Sequence, residues 1–433
     1  MNRIILAATL SVAFSATALA QSGTNSAYSQ YGLGILSDQS TGFNRGMNGV
    51  AQGFHEHNQV NYLNPASYAT FDSLTFVFDA GASGQITNFS DGANKVNANN
   101  ADFEYAVAGF RAFRHVGVSF GIIPYSNIGY NYSVDGNVGG SVSQGTYTTA
   151  YSGSGGVHQA YIGAGWEPIK GLAIGANISF LWGDYTKSVT TSFSDSYVYT
   201  RTRTYLASYQ SYKLDLGAQY TFALPSKNWM TVGATYSPGH DIGGNPQAIS
   251  TISNSSTTIS DTIPHTADGE SNLHLSIPTS CSFGVMWNHN NVLKLGFDYN
   301  FQKWSKLDCP MLSDDHKKYV LVSDQYMDRH KFTLGGVITP NEMSRSFFNR
   351  VQYRFGTSYT TPYYKVNGAD GPKEFSVSAG FGIPIVNSYN NRSMLNISGQ
   401  WVNTTGGTIK ENTFRINIGF TFNEKWFMKW KVE

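Results

Sequence analysis

From Phe414 to Phe422 the chain reads Phe-Arg-Ile-Asn-Ile-Gly-Phe-Thr-Phe, large apolar residues alternating with polar or small ones. Successive side chains of an extended backbone point to opposite faces, so one face of this segment is greasy and the other is not. The same beat returns from Leu293 to Gln302 and from Leu214 to Phe222. Repeated through several hundred residues, it predicts an all-β fold: a transmembrane antiparallel β-barrel with lipid outside and a polar lumen inside. Fourteen candidate strands are centred near residues 80, 107, 122, 161, 178, 214, 235, 281, 298, 333, 355, 379, 398 and 417. An even number returns both chain ends to the periplasmic side.

The connections support the same phase. Every second one is tight: Arg114-His115, Glu167 to Gly171, Pro225 to Asn228, Asn288 to Asn291, Pro340 to Asn349 and Asn387 to Arg392. The others are mostly long and polar, including Asp91 to Asn100, Asp135 to Gly155, Gly239 to Glu270 and Ser305 to Ser323. Short periplasmic turns and longer outside loops are the habit of outer-membrane barrels. A soluble sandwich or propeller has no reason to keep that asymmetry.

The ends of the chain carry their own signals. Arg3, an apolar run from Ile4 to about Phe14 and the small residues ending Ala18-Leu19-Ala20 predict a secretory signal peptide over residues 1–20. No later run of about 18 apolar residues offers a helical span. Residues 21–71 are polar, rich in Gly and Asn and without sustained alternation, which predicts a hatch in the lumen of a barrel over 72–422. Residues 423–433 form a periplasmic tail. Charged residues make up only 13% and aromatics 14%, with 45 glycines, a balance suited to aromatic girdles and bending strands. The net charge of +1 and the lack of a basic stripe exclude a nucleic-acid partner. Cys281 and Cys309 suggest no disulfide framework, since they meet only if the loop carrying Cys309 folds back.

Strand 3 is irregular. It runs from Val116 to Ile123, meets Pro124 and resumes near Ile128-Gly129-Tyr130. Proline donates no backbone hydrogen bond, so the ladder to a neighbour should open there. The opening is either a bulge that shapes the barrel or a gap that is covered or used. Gly121 and Gly129 flank it and, lacking side chains, leave room for close approach of hatch or ligand. Pro278 and Pro384 lie in or beside other strands.

Gly49-Val50-Ala51 and Asn61-Tyr62-Leu63-Asn64-Pro65-Ala66, just before the first strand, resemble the hatch signature of the FadL/OmpP1/TodX family of outer-membrane transporters for hydrophobic compounds. Ile277-Pro278-Thr279-Ser280 with Gly284-Val285, and Lys303-Trp304-Ser305, resemble its strand-opening and strand-closing patterns. The tail resembles those of Bacteroidetes members. The resemblance implies a fourteen-stranded barrel with an N-terminal hatch, in the outer membrane of a Gram-negative cell. It also implies a kinked strand 3 at Pro124, and passive uptake of a hydrophobic or amphipathic small molecule such as a long-chain fatty acid, released laterally into outer-membrane lipid.

Two classes of function follow from the residues. One is that transporter. The other is a non-transporting barrel subunit of an outer-membrane protein assembly or export complex, with other outer-membrane proteins as partners. The inward register carries Lys294, Asp298, Asn300, Gln302, Asp215, Gln219, Asn396, Ser398, Gln400, Arg415 and Asn417, polar enough to hydrogen-bond a hatch. Asn64, Pro65 and Ala66 read as a gate element or as the turn that ends the hatch. His55-Glu56-His57 is expected to face water, with no third ligand for a metal. No nucleophile motif accompanies His240-Asp241 or Asp314-Asp315-His316, and no motif calls for a cofactor, so no catalytic residue is expected.

Overall fold

The computed structural model describes residues 23–427 apart from 93, 139–144, 196, 255, 264–272, 314–316 and 387–391. The signal-peptide segment, the end of the tail after Phe427, the Asn387 to Arg392 turn and Asp314-Asp315-His316 lie wholly or partly outside the described residues.

Fourteen antiparallel strands close into one barrel. They are β1 (Phe76–Ser90), β2 (Lys95–Phe113), β3 (Val116–Asn137), β4 (Thr146–Ile169), β5 (Leu172–Phe193), β6 (Thr200–Leu224) and β7 (Asn228–Ser237). Then come β8 (Thr279–His289), β9 (Leu293–Lys303), β10 (Arg329–Ile338), β11 (Gln352–Thr360), β12 (Lys373–Val386), β13 (Arg392–Thr405) and β14 (Lys410–Glu424). Each strand pairs with its sequence neighbours, and β14 closes on β1 from Phe76↔Glu424 to Ser90↔Lys410. Every predicted centre falls within its strand.

The alternation has the expected outcome. On β14, Ile416 (60% exposed), Ile418 and Phe420 point outward while Asn417 (4%) points inward. The outward rows stay apolar through Phe414 and its β1 partner Ile86, and the next row is asparagine: Asn88 opposite Asn412 and Asn97. Lipid tails favour the first composition and an aqueous interface the second, which sets the outer edge of the apolar belt.

Several loops prove shorter than expected, because strands continue past that belt. β2 begins at Lys95, so the connection expected over Asp91 to Asn100 is a turn around Asp91 to Asn94. β3 and β4 extend their ladder to Asn137↔Thr146, within the loop expected over Asp135 to Gly155. Above the bilayer the outward residues become polar, so the hydrophobic beat stops while backbone pairing goes on. The outside connection after β7 also builds strands, Gln247–Ser253 adding to the top of β6 and pairing with Thr258–Thr262.

The prolines sit where a neighbour is missing. Pro384 pairs with Met394 of β13, beyond the point where β11 ends. Pro278 precedes β8 rather than lying in it. Past β14 the tail returns along the periplasmic rim, where Trp426 stacks on Phe76 at 4.6 Å.

Candidate functional site: a seam in the wall and the segment that fills it

The ladder between β2 and β3 runs only from Phe113↔Val116 up to Ala106↔Ile122. Above it, β2 pairs with β1 alone and β3 with β4, so the wall parts two residues before Pro124. Pro124 still faces His158 of β4, and the register then slips by one residue, leaving Tyr125 as a bulge aimed into the lumen. Gly155 and Gly156 of β4 lie opposite with φ of +124° and +149°, a region that side-chain-bearing residues avoid. An added Cβ on Gly156 would run into the Ser126 carbonyl. The wall thus folds inward, and Ile123, Tyr125, Ser126 and Ile128 are buried where lipid-facing residues would otherwise alternate.

The N-terminal segment fills the seam. Ile35 and Leu36 pair antiparallel with Asn127 and Ser126, and Ser37 N donates to Tyr125 O at 2.9 Å. Gly129 N donates to Ser29 Oγ at 3.1 Å, and that hydroxyl reaches back to Gly129 O at 3.2 Å. The β3 lip is therefore satisfied by the hatch. On the β2 lip the contacts are side chains: Asn25 Nδ2 donates to Asn99 O at 3.1 Å, and Asn127 Nδ2 spans the gap to Asp102 Oδ2 at 3.4 Å. Gly129 does lie against the hatch. Gly121 does not, since an added Cβ there would strike Ala106 O and Val107 of β2, so filling it would break the ladder rather than block an opening.

Below the seam, polar bonds seat the segment in the lumen. Asp298 of β9 accepts from Ala51 N at 2.6 Å and Gln52 N at 3.0 Å. Gln219 donates to Gln52 O and Phe54 O, Gln400 to Asn48, and Lys294 pairs with Glu56 at 2.5 Å. Arg45 donates to Asn417 Oδ1 at 3.1 Å and to Glu104 Oε2 at 2.8 Å. Glu104 is the extra residue of a β-bulge where β2 slips against Gly81 and Ala82 of β1, which aims its carboxylate at Arg45 and Ser83. A buried guanidinium demands such a partner. Of the inward polar residues, Lys294, Asp298, Gln219, Gln400 and Asn417 bond the hatch, while Asn396 and Ser398 bond other wall residues.

Asn64, Pro65 and Ala66 lie at the periplasmic end of the lumen, away from the seam. Asn64 caps a short 3-10 helix (Pro65–Thr70), its Oδ1 accepting from Ala66 N at 3.2 Å, while its Nδ2 donates to Gln52 O at 2.9 Å. Wall glycines make room: a Cβ on Gly175 would meet the Pro65 backbone, and one on Gly217 the Asn64 amide. The arrangement does not join this element to Pro124. The expectation that His55-Glu56-His57 faces water also needs correction. Glu56 is tied to Lys294 and His55 is largely enclosed, while only His57 is exposed, paired with Asp72 at 2.6 Å. The Lys294 ammonium offsets part of the cost of burying the Glu56 carboxylate.

The lumen holds two small polar cavities, of about 110 and 120 Å³. At the outer mouth, Trp304 packs on Tyr363 at 4.4 Å within a cluster that includes Tyr28, Tyr125, Tyr185, Tyr209 and Tyr326. A cavity of about 540 Å³ adjoins it, lined by Tyr185, Tyr205, Tyr319, Lys187 and Arg203. Lys187 Nζ donates to Gln30 O and Gly32 O, both at 2.9 Å. Cys309 sits there as a free thiol, as does Cys281 on β8. Sequence alone does not name the walls of this tyrosine mouth, because its residues are scattered from Tyr28 to Tyr364 and meet only when the barrel closes.

Comparison with solved structures gives the fold. The chain resembles a Pseudomonas aeruginosa FadL homologue (TM-score 0.61, 10% identity, covering 90% of this chain and 99% of that one). It also resembles the Pseudomonas putida toluene transporter TodX (0.59, 14%, 91% and 100%). The CymD monoaromatic hydrocarbon channel is similar as well (0.58, 13%, 89% and 98%). At these identities the likeness is one of fold. No curated protein matches the sequence. A family model described as BamG matches residues 1–433.

Proposed function

The chain belongs to the BamG family, and from that premise we propose that it is a structural barrel subunit of the BAM outer-membrane assembly complex rather than a transporter or an enzyme. It resides in the outer membrane of a Gram-negative cell, its apolar belt against lipid and its partners other outer-membrane proteins. The observation that carries this reading is the seating of the N-terminal segment. Arg45, Asn48, Ala51, Gln52 and Glu56 are bound to inward charges and amides of the wall, and the cavities between are small and polar. A greasy molecule travelling that route would strip hydrogen bonds from buried polar groups, at about 1–3 kcal/mol each.

The tyrosine-lined mouth cavity and the seam favour a second reading, passive uptake of a hydrophobic or amphipathic small molecule with lateral release at strand 3. That route needs the Ile35–Leu36 pairing to open. Purification of the tagged full chain from its native membrane separates the two. The assembly reading expects a stable complex with barrel-assembly proteins, and loss of other folded barrels when the chain is depleted. Isolation of the chain alone, together with faster uptake of a labelled hydrophobic probe, would reverse the choice.

A further inference from the structure

The β2 side of the seam lacks what the β3 side has. Hatch strand Ile35–Leu36 covers the β3 lip, but no strand among the described residues pairs with Lys95 to Tyr105 on the side away from β1. Register fixes the height of that edge. Asn99 shares a row with Ile86 and Phe414, Ala101 with Gly84 and Ile416, and Phe103 with Ala82 and Ile418. Those β14 partners point outward and are more than half exposed, so the edge runs through the outer part of the apolar belt and emerges beyond the asparagine row at Asn97. Open sheet edges do not persist against hydrocarbon, because no water is present to hydrogen-bond the backbone.

The outward side chains nearest the edge are smaller than those of the closed wall. Within the apolar belt Ala82, Gly84, Ala101 and Asn99 are small or polar beside Ile86 and Phe103, and a Cβ added to Gly84 meets nothing. Small side chains let another backbone come close, and asparagines can bond across an interface. Three strands along the wall, β5 presents Ile174, Ile178 and Phe180 at the outer surface.

We infer that Lys95 to Phe103 of β2 is a docking edge for one extended segment of a partner outer-membrane protein, which adds to the sheet as a strand. The inference rests on the assembly-subunit reading and names the surface through which assembly occurs. Main-chain hydrogen bonds supply the attachment, as in other cases of strand addition, and the small outward residues admit the rest of the partner's wall. The hatch lies behind the seam and bonds the β2 edge through Asn25, while Asn127 of β3 reaches Asp102 by its side chain and not by backbone pairing.

The test places a photo-crosslinking amino acid at Asn97, at Asn99 and, as a control, at Ile178 in the full chain expressed in its own cells. Crosslinks from Asn97 and Asn99 are expected to map to one segment of one outer-membrane protein, displaced from each other by about two residues, the period of a paired strand. Ile178 should give no such adduct. Ala101→Trp should lower recovery of that protein at least tenfold while heat-resistant folding is kept, and Ile178→Trp should leave recovery unchanged. Adducts confined to lipid, to the chain's own N-terminal segment or to a second copy of the chain would overturn the inference. So would full recovery of the complex with Ala101→Trp. In each of those cases a stable complex with assembly proteins still supports the assembly reading, whereas absence of any complex removes both.

Discussion

Around β13, β14 and β1 the wall is continuous and its outer face is Phe414, Ile416, Ile418 and Phe420, while between β2 and β3 the wall stops partway and Ala82, Gly84, Ala101 and Asn99 join Ile86 and Phe103 on its outer face. The two regions sit at the same height in one sheet. Where the ladder is complete, the backbone needs nothing further and side chains can be chosen for lipid alone. Where it parts, backbone groups must find partners elsewhere, and the chain supplies Ile35, Leu36, Ser29 and Asn25 from inside. Side-chain chemistry on the outside thus reports whether the ladder beneath is closed.

The largest expected effect comes from cutting the tie between the two regions. Arg45 links Asn417 of the closed wall to Glu104 beside the seam, so Arg45→Met leaves a buried carboxylate without its cation. Urea unfolding in detergent should show a loss of about 3–5 kcal/mol; a loss below about 1 would mean that water reaches Glu104.

Matched lysines sharpen the contrast next. Ile418→Lys puts a charge on the lipid face of the closed wall and should cost about 2–4 kcal/mol. Asn99→Lys, at the edge of the seam, should cost under about 1 kcal/mol. Equal yields of heat-resistant barrel from both would erase the distinction. Asn417→Lys is no neutral control, because it would set a second cation beside Arg45.

Glycines divide the same way. Gly175→Ala should destabilise by about 1–3 kcal/mol, since its Cβ has to displace the Pro65 backbone. Gly84→Ala, with open space outside, should stay within about 0.5 kcal/mol. Thermal unfolding of the pair is sufficient, and a reversed order would show that the hatch yields more easily than the outer face.

The smallest effect is a pH dependence at the periplasmic end. The hydrogen bond that His57 Nδ1 donates to the Asp72 carboxylate raises the imidazole above its usual value. A raised folded value means stability that is complete below about pH 6.5 and is lost as pH rises through the folded value. Both groups are about half exposed, so the change will be slight. Asp72→Asn should flatten the urea midpoint between roughly pH 5.5 and 8.5; an unchanged slope would assign it to another group.

Much of the barrel was legible in the sequence because lipid on one face and polar groups on the other impose a strict period of two. That signal located the strands and the inward residues Asp298, Lys294, Gln219 and Asn417 that hold the hatch. It faded where its cause faded. β4 carries Ser152-Gly153-Ser154-Gly155, paired backbone without an apolar face, and it read as loop. The bulged Glu104 was hidden because one extra residue reverses the faces of everything after it. Pro124 marked the parting of the wall, yet what fills it, Ile35 and Leu36, carries no strand signal in so short a pair. The ion pair of Glu56 with Lys294 spans a separation that no local pattern encodes.

The hatch also fixes an order of events. Ser26 Oγ donates to Glu411 Oε1 and Tyr28 OH to Ile409 O, pairs separated by 385 and 381 residues. The N-terminal part of the hatch therefore acquires its last partners only when the final strand arrives. Closing so long a loop is entropically costly and slow. Ser26 and Tyr28 reach these partners only once the last strand is in place, so their settling marks the closing of the circle.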